Sequence, residues 1–494
     1  MSTDLAPPTG PADGGGSSYP KLCLIVGGEE LRGGGRDTIP VLNPATGTVL
    51  AELPLAGRQD LDDAVDAAVA AFPAWSSTSA FDRAAVLHRA AGLLRERRDA
   101  LSLTLTLEQG KPLAEARAEV ESAANVFDWF AEEGRRAYGR IIPSRSSAVD
   151  LQVRKYPIGP CALFTPWNFP ADLPARKLAA ALAAGCTVVI KPAEETPGIA
   201  VHIVRALHDA GLPAGVVNLV FGRPDVVSRH LVTHRAIAKV SFTGSVPVGR
   251  HLAQLAGEHL KVITLELGGH APVLVLEDAD VDRVTTMGVA AKFRNAGQIC
   301  VSPTRFIVHE RIYDDFVERF VAKARQLRLG DGLLADTGMG PLAHDRRVEA
   351  MEELVQDAID HGADVAAGGS RMGNIGSFYE PTVILGGTPD LQVMNAEPFG
   401  PVAALMPFQH LEDAIAEANR LPYGLAAYAF TGSVGASRRI ADGCQAGMIG
   451  LNTFAIALPE APFGGVKDSG HGIENGSEGL DAFLTTRLVV HSAN

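Results

Sequence analysis

Between Cys161 and Leu267, short β-rich runs alternate with helical segments, and this alternation limits the fold more than any other feature of the chain. The runs are Ala162-Leu-Phe-Thr165, Thr187-Val-Val-Ile190, Val216-Val-Asn-Leu-Val220, Ala238-Lys-Val-Ser-Phe242 and Val262-Ile-Thr-Leu-Glu-Leu267; residues 173–184, 198–210 and 246–257 lie between them. Strands separated by segments long enough for a helix predict a parallel sheet covered by helices on both faces. Ligands of such sheets sit beyond the carboxyl ends of the strands. Pro166-Trp-Asn168, Lys191-Pro-Ala-Glu194 and Thr243-Gly-Ser245 lie at those ends. A second α/β texture runs from residue 271 to about 450, with strands at 273–276 and 304–308 and helices at 313–328 and 348–361. Ahead of both, residues 60–140 read as helices. Asp60 is the expected N-cap of a helix over 61–71, residues 81–98 carry an amphipathic pattern, and Gly110-Lys-Pro112 marks a break. The last segment, 483–490, reads as a strand whose edge needs covering, either by subunit pairing or by burial within the monomer.

At 494 residues, with 46% hydrophobic, the chain is too long for one core and implies two or three domains. Its apolar content contains no run of eighteen residues, so no membrane-spanning helix is expected. A net charge of −13 argues against a nucleic-acid partner. Residues 1–20 are rich in Pro, Gly and Ser, lack the features of a signal peptide and read as a disordered tail. The five cysteines are scattered and contain no CxxC pair, which suits a reducing, cytoplasmic setting without disulfides or a metal site.

Three segments carry chemistry. Cys300 closes Phe293-Arg-Asn-Ala-Gly-Gln-Ile-Cys300, and a thiolate is a strong nucleophile if its pKa is lowered. Taken alone it would be read as a small core residue, as the other four cysteines are. Glu266 ends an apolar strand just before Gly268 and Gly269, where burial would raise its pKa and suit it to act as a general base; a salt-bridged structural glutamate is the alternative. Asn168 lies in Thr165-Pro-Trp-Asn-Phe-Pro170, where the prolines restrict the backbone. Its amide could donate to an oxyanion together with the Cys300 N–H, or simply satisfy a local turn. Thr243-Gly-Ser-Val-Pro-Val-Gly249 follows a strand and opens a helix, the right context for a phosphate, although it is not GxGxxG. Glu194 could accept from ribose hydroxyls and repel a 2′-phosphate, favouring NAD over NADP; a surface ion pair with Lys191 is the bland alternative.

Together these segments resemble the aldehyde dehydrogenase superfamily, from Asn43-Pro-Ala-Thr-Gly47 to the C-terminus, with Glu397-Pro-Phe-Gly-Pro401 and Pro462-Phe-Gly-Gly-Val-Lys467 as further motifs. The resemblance implies a Rossmann-type parallel-sheet cofactor domain (residues 21–141 and 155–268), an α/β catalytic domain (269–478) and a small β oligomerisation arm (142–154 and 479–494). It implies oxidation of an aldehyde through a thiohemiacetal and thioester on Cys300, with Asn168 and the Cys300 amide on the oxyanion and Glu266 activating water. NAD would be the cofactor, with NADP possible. Glu397 and Phe399 would hold its nicotinamide ribose side, and Lys191 and Glu194 its adenosine side. Ser245 and Gly249 would take the pyrophosphate, and Thr165, Pro166, Trp167, Gly244 and Leu267 would line the site. A homodimer or homotetramer is implied.

Within the superfamily, Pro192-Ala-Glu-Glu-Thr-Pro197 and Arg294 are similar to the succinate-semialdehyde dehydrogenases, and Arg176 and Arg294 match positions that grip a distal carboxylate there. Guanidinium suits that task through its planar fork of donors, although either arginine could instead tie helices together. The subfamily's serine in the loop before Pro462 is replaced by Ala457, and a partner cysteine found after the nucleophile in some members is Ser302 here. Succinate semialdehyde is the first expected substrate, with glutarate or 2-oxoglutarate semialdehyde next and a general aliphatic or aromatic aldehyde third. An acylating enzyme that uses coenzyme A is disfavoured by Glu266, since thiolysis needs no base for water.

Overall fold

The computed structural model describes residues 19–492. Of the expected tail, residues 1–18 lie outside the described residues, but Tyr19 is buried and its hydroxyl meets the Glu108 carboxylate, so the tail boundary at residue 20 is set too late.

The alternating region forms an eight-stranded sheet. Its centre is five parallel strands in the spatial order Val262–Leu267, Lys239–Gly244, Cys161–Phe164, Val188–Lys191, Val217–Leu219. Each expected run is present within two residues of its predicted ends. The sheet is not purely parallel. Leu24–Val26 adds antiparallel to one side and Gly470–His471, from far along the chain, to the other. Strand order reverses between Cys161–Phe164 and Lys239–Gly244, and a crevice opens at such a reversal. Helix Asp172–Ala184 has every residue buried, which explains its apolar composition, and Gly185 in the left-handed region (φ 93°) ends it.

The second texture forms a seven-stranded sheet in the order Asp364–Ala367, Thr382–Leu385, Val402–Phe408, Pro303–His309, Ala271–Val275, Ala426–Phe430, Met448–Leu451, parallel except at its first strand. Phe306, Phe316 and Phe320 fill the layer between this sheet and its helices. A three-stranded antiparallel sheet combines Arg140–Ile142, Val149–Pro157 and Leu484–Ser492. The last strand pairs on one side only and leaves Leu488 and Val490 exposed, so burial within the monomer is not the solution the chain adopts.

One local expectation is corrected. The first long helix is Arg58–Ser77, capped at Gly57. Asp60 is its third residue and reaches back to accept the Gly57 N–H (2.8 Å), held there by Arg36. The pattern over 81–98 forms helix Ala80–Glu96; a further helix, Arg98–Gln109, follows Arg97 and runs to Gly110, whose φ of 94° makes the expected break. No helix among the described residues is long and apolar enough to cross a membrane.

Two glycines should respond in opposite senses. Gly257 lies in helix Val246–Glu258 with nothing near an added Cβ, so Gly257→Ala should stabilise by about 0.5–1 kcal/mol. Gly297 has φ 72° and an added Cβ would overlap the Gly400 carbonyl, so Gly297→Ala should destabilise by more than about 2 kcal/mol. Urea unfolding of both variants checks the pair.

Candidate active site

Facing ends of the two large sheets enclose a cavity of about 860 Å³. Cys300, Glu266 and Asn168 all line it, although 34 and 98 residues separate them in sequence. Pro166, Trp167, Gly244, Ser245, Leu267, Glu397, Phe399, Arg176, Arg294 and Ala457 line it too. Four expected site residues do not. Thr165 is buried beneath the wall with an unpartnered hydroxyl, Gly249 lies under Leu267, whose side chain an added Cβ would overlap, and Lys191 and Glu194 pair with each other. That ion pair is largely buried rather than a surface pair, and the Gly222 N–H also approaches Glu194 Oε1 (3.4 Å).

Cys300 is delivered by a strained turn. Helix Val281–Phe293 ends, and Asn295, Ala296 and Gly297 follow with φ of 51°, 52° and 72°. Two left-handed non-glycine residues in succession persist only where surrounding contacts hold them. Here the Asn295 side chain donates to the Asn168 carbonyl (2.9 Å), the Asn168 side-chain amide donates to the Gln298 carbonyl (3.1 Å), and Gln298 accepts the Ala343 N–H (2.9 Å). The Asn168 carbonyl also accepts from Lys111 Nζ (2.9 Å), which is itself paired with Glu119. Asn168 is therefore positioned by this clasp as well as by its prolines. One N–H of its side chain is engaged by Gln298 and its Oδ1 has no partner among the described residues.

The condition for a reactive thiolate, a lowered pKa, is not supplied by the resting site. Burial pushes the Cys300 thiol up to about 12, against the pull of the Arg176 guanidinium. Burial also holds Glu266 well above the usual carboxylate range, with the Glu474 carboxylate adding to the effect, and neither Glu266 oxygen has a hydrogen-bond partner. A carboxyl in that condition can exchange a proton with a thiol or a water placed beside it.

Several contributors escaped sequence reading. Lys111, Glu119 and Asn295 build the clasp. Glu474, on the cavity wall, pairs with Lys177 and accepts from Ser241 (3.2 Å), leaving its second oxygen unpartnered. Lys177 and Glu474 are 297 residues apart, and no spacing signal connects them. Lys177 follows Arg176 directly, and two cations inside an apolar helix were the available hint that buried carboxylates face it.

The two arginines differ. Arg176 is buried, its guanidinium taken by Asp172 one turn earlier (2.6 Å) and stacked on Phe463 (4.6 Å). Arg294 is exposed on the cavity wall over Phe169 (5.5 Å), with no carboxylate paired to it among the described residues.

Residues 32–489 match the profile of the aldehyde dehydrogenase family. The chain belongs to this family. It is 49% identical to a putative 4-(hydroxymethyl)benzenesulfonate dehydrogenase of Comamonas testosteroni, covering 95% of this chain and 98% of that protein. It is 41% identical to the NADP-named succinate-semialdehyde dehydrogenase GabD of Escherichia coli K12, covering 94% and 96%. The crystal structure of succinate-semialdehyde dehydrogenase from Burkholderia pseudomallei superposes with a TM-score of 0.95 at 40% identity, covering 97% and 99%. This aldehyde dehydrogenase is thus an oxidoreductase acting on aldehydes.

Removing Lys111 from the clasp should be severe, because Glu119 would remain as an unpaired buried charge. Lys111→Met is expected to lower unfolding free energy by about 3–5 kcal/mol, measured by urea denaturation.

Proposed function

We propose that this aldehyde dehydrogenase converts an aldehyde to its carboxylic acid through a thiohemiacetal and then a thioester on Cys300, and that the substrate carries an anion at its far end. The observation that carries the second part is Arg294, a cation on the cavity wall without a carboxylate partner among the described residues. Arg176, already answered by Asp172, instead shapes the field around Cys300 and Glu266.

In this reading Cys300 loses its proton to Glu266 as sulfur attacks the carbonyl carbon. The free N–H of the Asn168 amide and the Cys300 backbone N–H hold the oxyanion. Glu266 releases that proton along the path that Glu474 and Lys177 offer; as a carboxylate again, it takes a proton from the water that cleaves the thioester and returns it to the departing Cys300 thiolate. The residues present fit a dinucleotide. Thr165 and Thr243 have buried hydroxyls without partners, and Ser245 opens helix Val246–Glu258 with its side chain uncommitted to the cap. Gly249 permits the close approach of that helix to Leu267. NAD, when bound, accepts the hydride. Glu397 and Phe399 would hold its nicotinamide ribose side, Ser245 and Gly249 its pyrophosphate region, and Lys191 and Glu194 its adenosine ribose. Residues 21–141 and 155–268 would form the cofactor domain and 269–478 the catalytic domain. Segments 142–154 and 479–494 would be the arm through which a cytoplasmic dimer or tetramer assembles, its open edge covered by a second subunit.

Succinate semialdehyde is the first candidate, with glutarate or 2-oxoglutarate semialdehyde beside it. A second reading, an aromatic aldehyde bearing a sulfonate or carboxylate, is favoured by one feature. Where a serine is expected, Ala457 stands with Phe454 and Ile456 on an apolar wall. The relative named for a benzenesulfonate points the same way.

Steady-state kcat/KM with NAD should favour succinate semialdehyde or 4-carboxybenzaldehyde over butanal by at least about tenfold, or about 1.4 kcal/mol. Equal values would remove the distal anion. Arg294→Ala should raise KM for the anionic aldehydes about tenfold or more and leave butanal unchanged. Glu194→Ser should shift the NAD-to-NADP ratio of kcat/KM towards NADP by about tenfold or more, about one charge interaction near the ribose. An unchanged ratio would remove Glu194 from cofactor choice.

A further inference from the structure

Asp172 and Arg176 lie one turn apart on helix Asp172–Ala184, and both line the cavity. An aspartate in a first turn commonly serves the exposed N–H groups of its helix. Asp172 does not. The N–H groups of Ala171 and Asp172 donate to Glu119 Oε1 instead (2.8 and 3.3 Å). The Asp172 carboxylate is divided between two other partners. Its Oδ1 accepts from Ser122 Oγ (2.6 Å), on helix Leu113–Gly134 and also on the cavity wall, and its Oδ2 meets Arg176 Nη2 (2.6 Å). A buried carboxylate that is not needed by its own helix has its use in what it does to Arg176.

Arg176 is seated independently of that carboxylate. Its guanidinium stacks on the Phe463 ring (4.6 Å), and Phe463 belongs with Leu425 and Met448 to the small apolar cluster against which Cys300 packs. Its Nε has no partner among the described residues, so Asp172 does not take the whole planar fork. Arg294 stands elsewhere, exposed and over Phe169. The cavity therefore holds two arginines of different standing. The buried one lies one ring from the nucleophile's packing layer and is already neutralised. The exposed one is not.

We propose that Asp172 is a specificity-determining residue: by occupying Arg176 it denies the substrate's anion a partner near Cys300, so that only an aldehyde long enough to reach Arg294 is gripped. This rests on the distal-anion reading above. Specificity of this kind comes from a repulsive element as much as from an attractive one. A short anionic aldehyde attached at Cys300 carries its carboxylate into the region that Asp172 already fills with like charge. A longer one carries its charge past Asp172 to the unpaired guanidinium. Ser122 supports the arrangement, because its hydrogen bond holds one Asp172 oxygen while the other faces Arg176. Removing the Asp172 charge leaves Arg176 on Phe463 with its donors open to the cavity.

The test is kcat/KM for 3-oxopropanoate, the three-carbon anionic aldehyde, relative to succinate semialdehyde, with butanal run on every variant to register general effects on the chemistry. Asp172→Asn should shift that ratio towards the shorter aldehyde by about fivefold or more. Asp172→Glu, which keeps the charge, should stay near the wild-type ratio. Adding Arg176→Gln to Asp172→Asn should erase the gain, since the gain runs through the freed guanidinium. Ser122→Ala, with an expected shift of about twofold in the same direction, stands in if Asp172→Asn does not fold. An Asp172→Asn ratio equal to wild type, or a gain that persists without Arg176, overturns the proposal while Arg294→Ala still penalises succinate semialdehyde over butanal. If Arg294→Ala treats those two alike, the distal-anion reading fails first and this inference falls with it.

Discussion

The main-chain oxygen of Asn168 joins the two sheets at the site. It accepts from Lys111, on the helical side of the first sheet, and from Asn295, in the turn that carries the nucleophile. Because Asn295 is held there, the turn can keep three successive left-handed residues, and after it Cys300 lines the same cavity as Glu266 instead of continuing a helix. The close seat of Gly297 on the Gly400 carbonyl closes the same turn from the other side and draws the Glu397–Phe399 loop against the cavity.

Around that clasp the chain buries an unusual number of charges, and they are not equivalent. Lys111–Glu119 and Lys177–Glu474 are close pairs whose Coulombic attraction and hydrogen bonds offset their loss of water. Glu266 has no such pair, and so it is pushed towards its neutral form in the place where a reaction needs a proton acceptor of moderate strength. Lys292 and Glu397 lie between these extremes: each has a hydrogen bond to a neutral group, to Ser302 and Gly269 in turn, and no oppositely charged group in contact among the described residues.

Much of this was legible in order and type but not in state. The parallel runs were readable because strands buried on both faces are continuous apolar stretches with turn residues between them, and Gly185 and Gly110 marked true helix ends. Antiparallel edge strands such as Gly470–His471 were not, because two residues carry no periodicity. Asp60 was placed at a cap since Asp favours that position; the glycine before the helix took the cap because Asp60 could serve it from within. The motif marked Cys300 as a nucleophile but could not give its protonation, because its pKa depends on how much water and which charges surround it.

The sequence alone determined which chemical groups are available and the order in which strands and helices present them. Glu266 lies at a strand end and Asn168 and Cys300 in the short loops between elements, because local propensity and burial pattern place those ends. Only the tertiary structure decided which charges answer one another. Among the described residues Asp172 takes Arg176 and no carboxylate pairs with Arg294, Glu474 comes back across 297 residues to Lys177, and Lys292 receives no carboxylate. The reason is physical: an electrostatic energy depends on distance and on the surrounding dielectric, and neither quantity exists for a residue until the chain has folded around it.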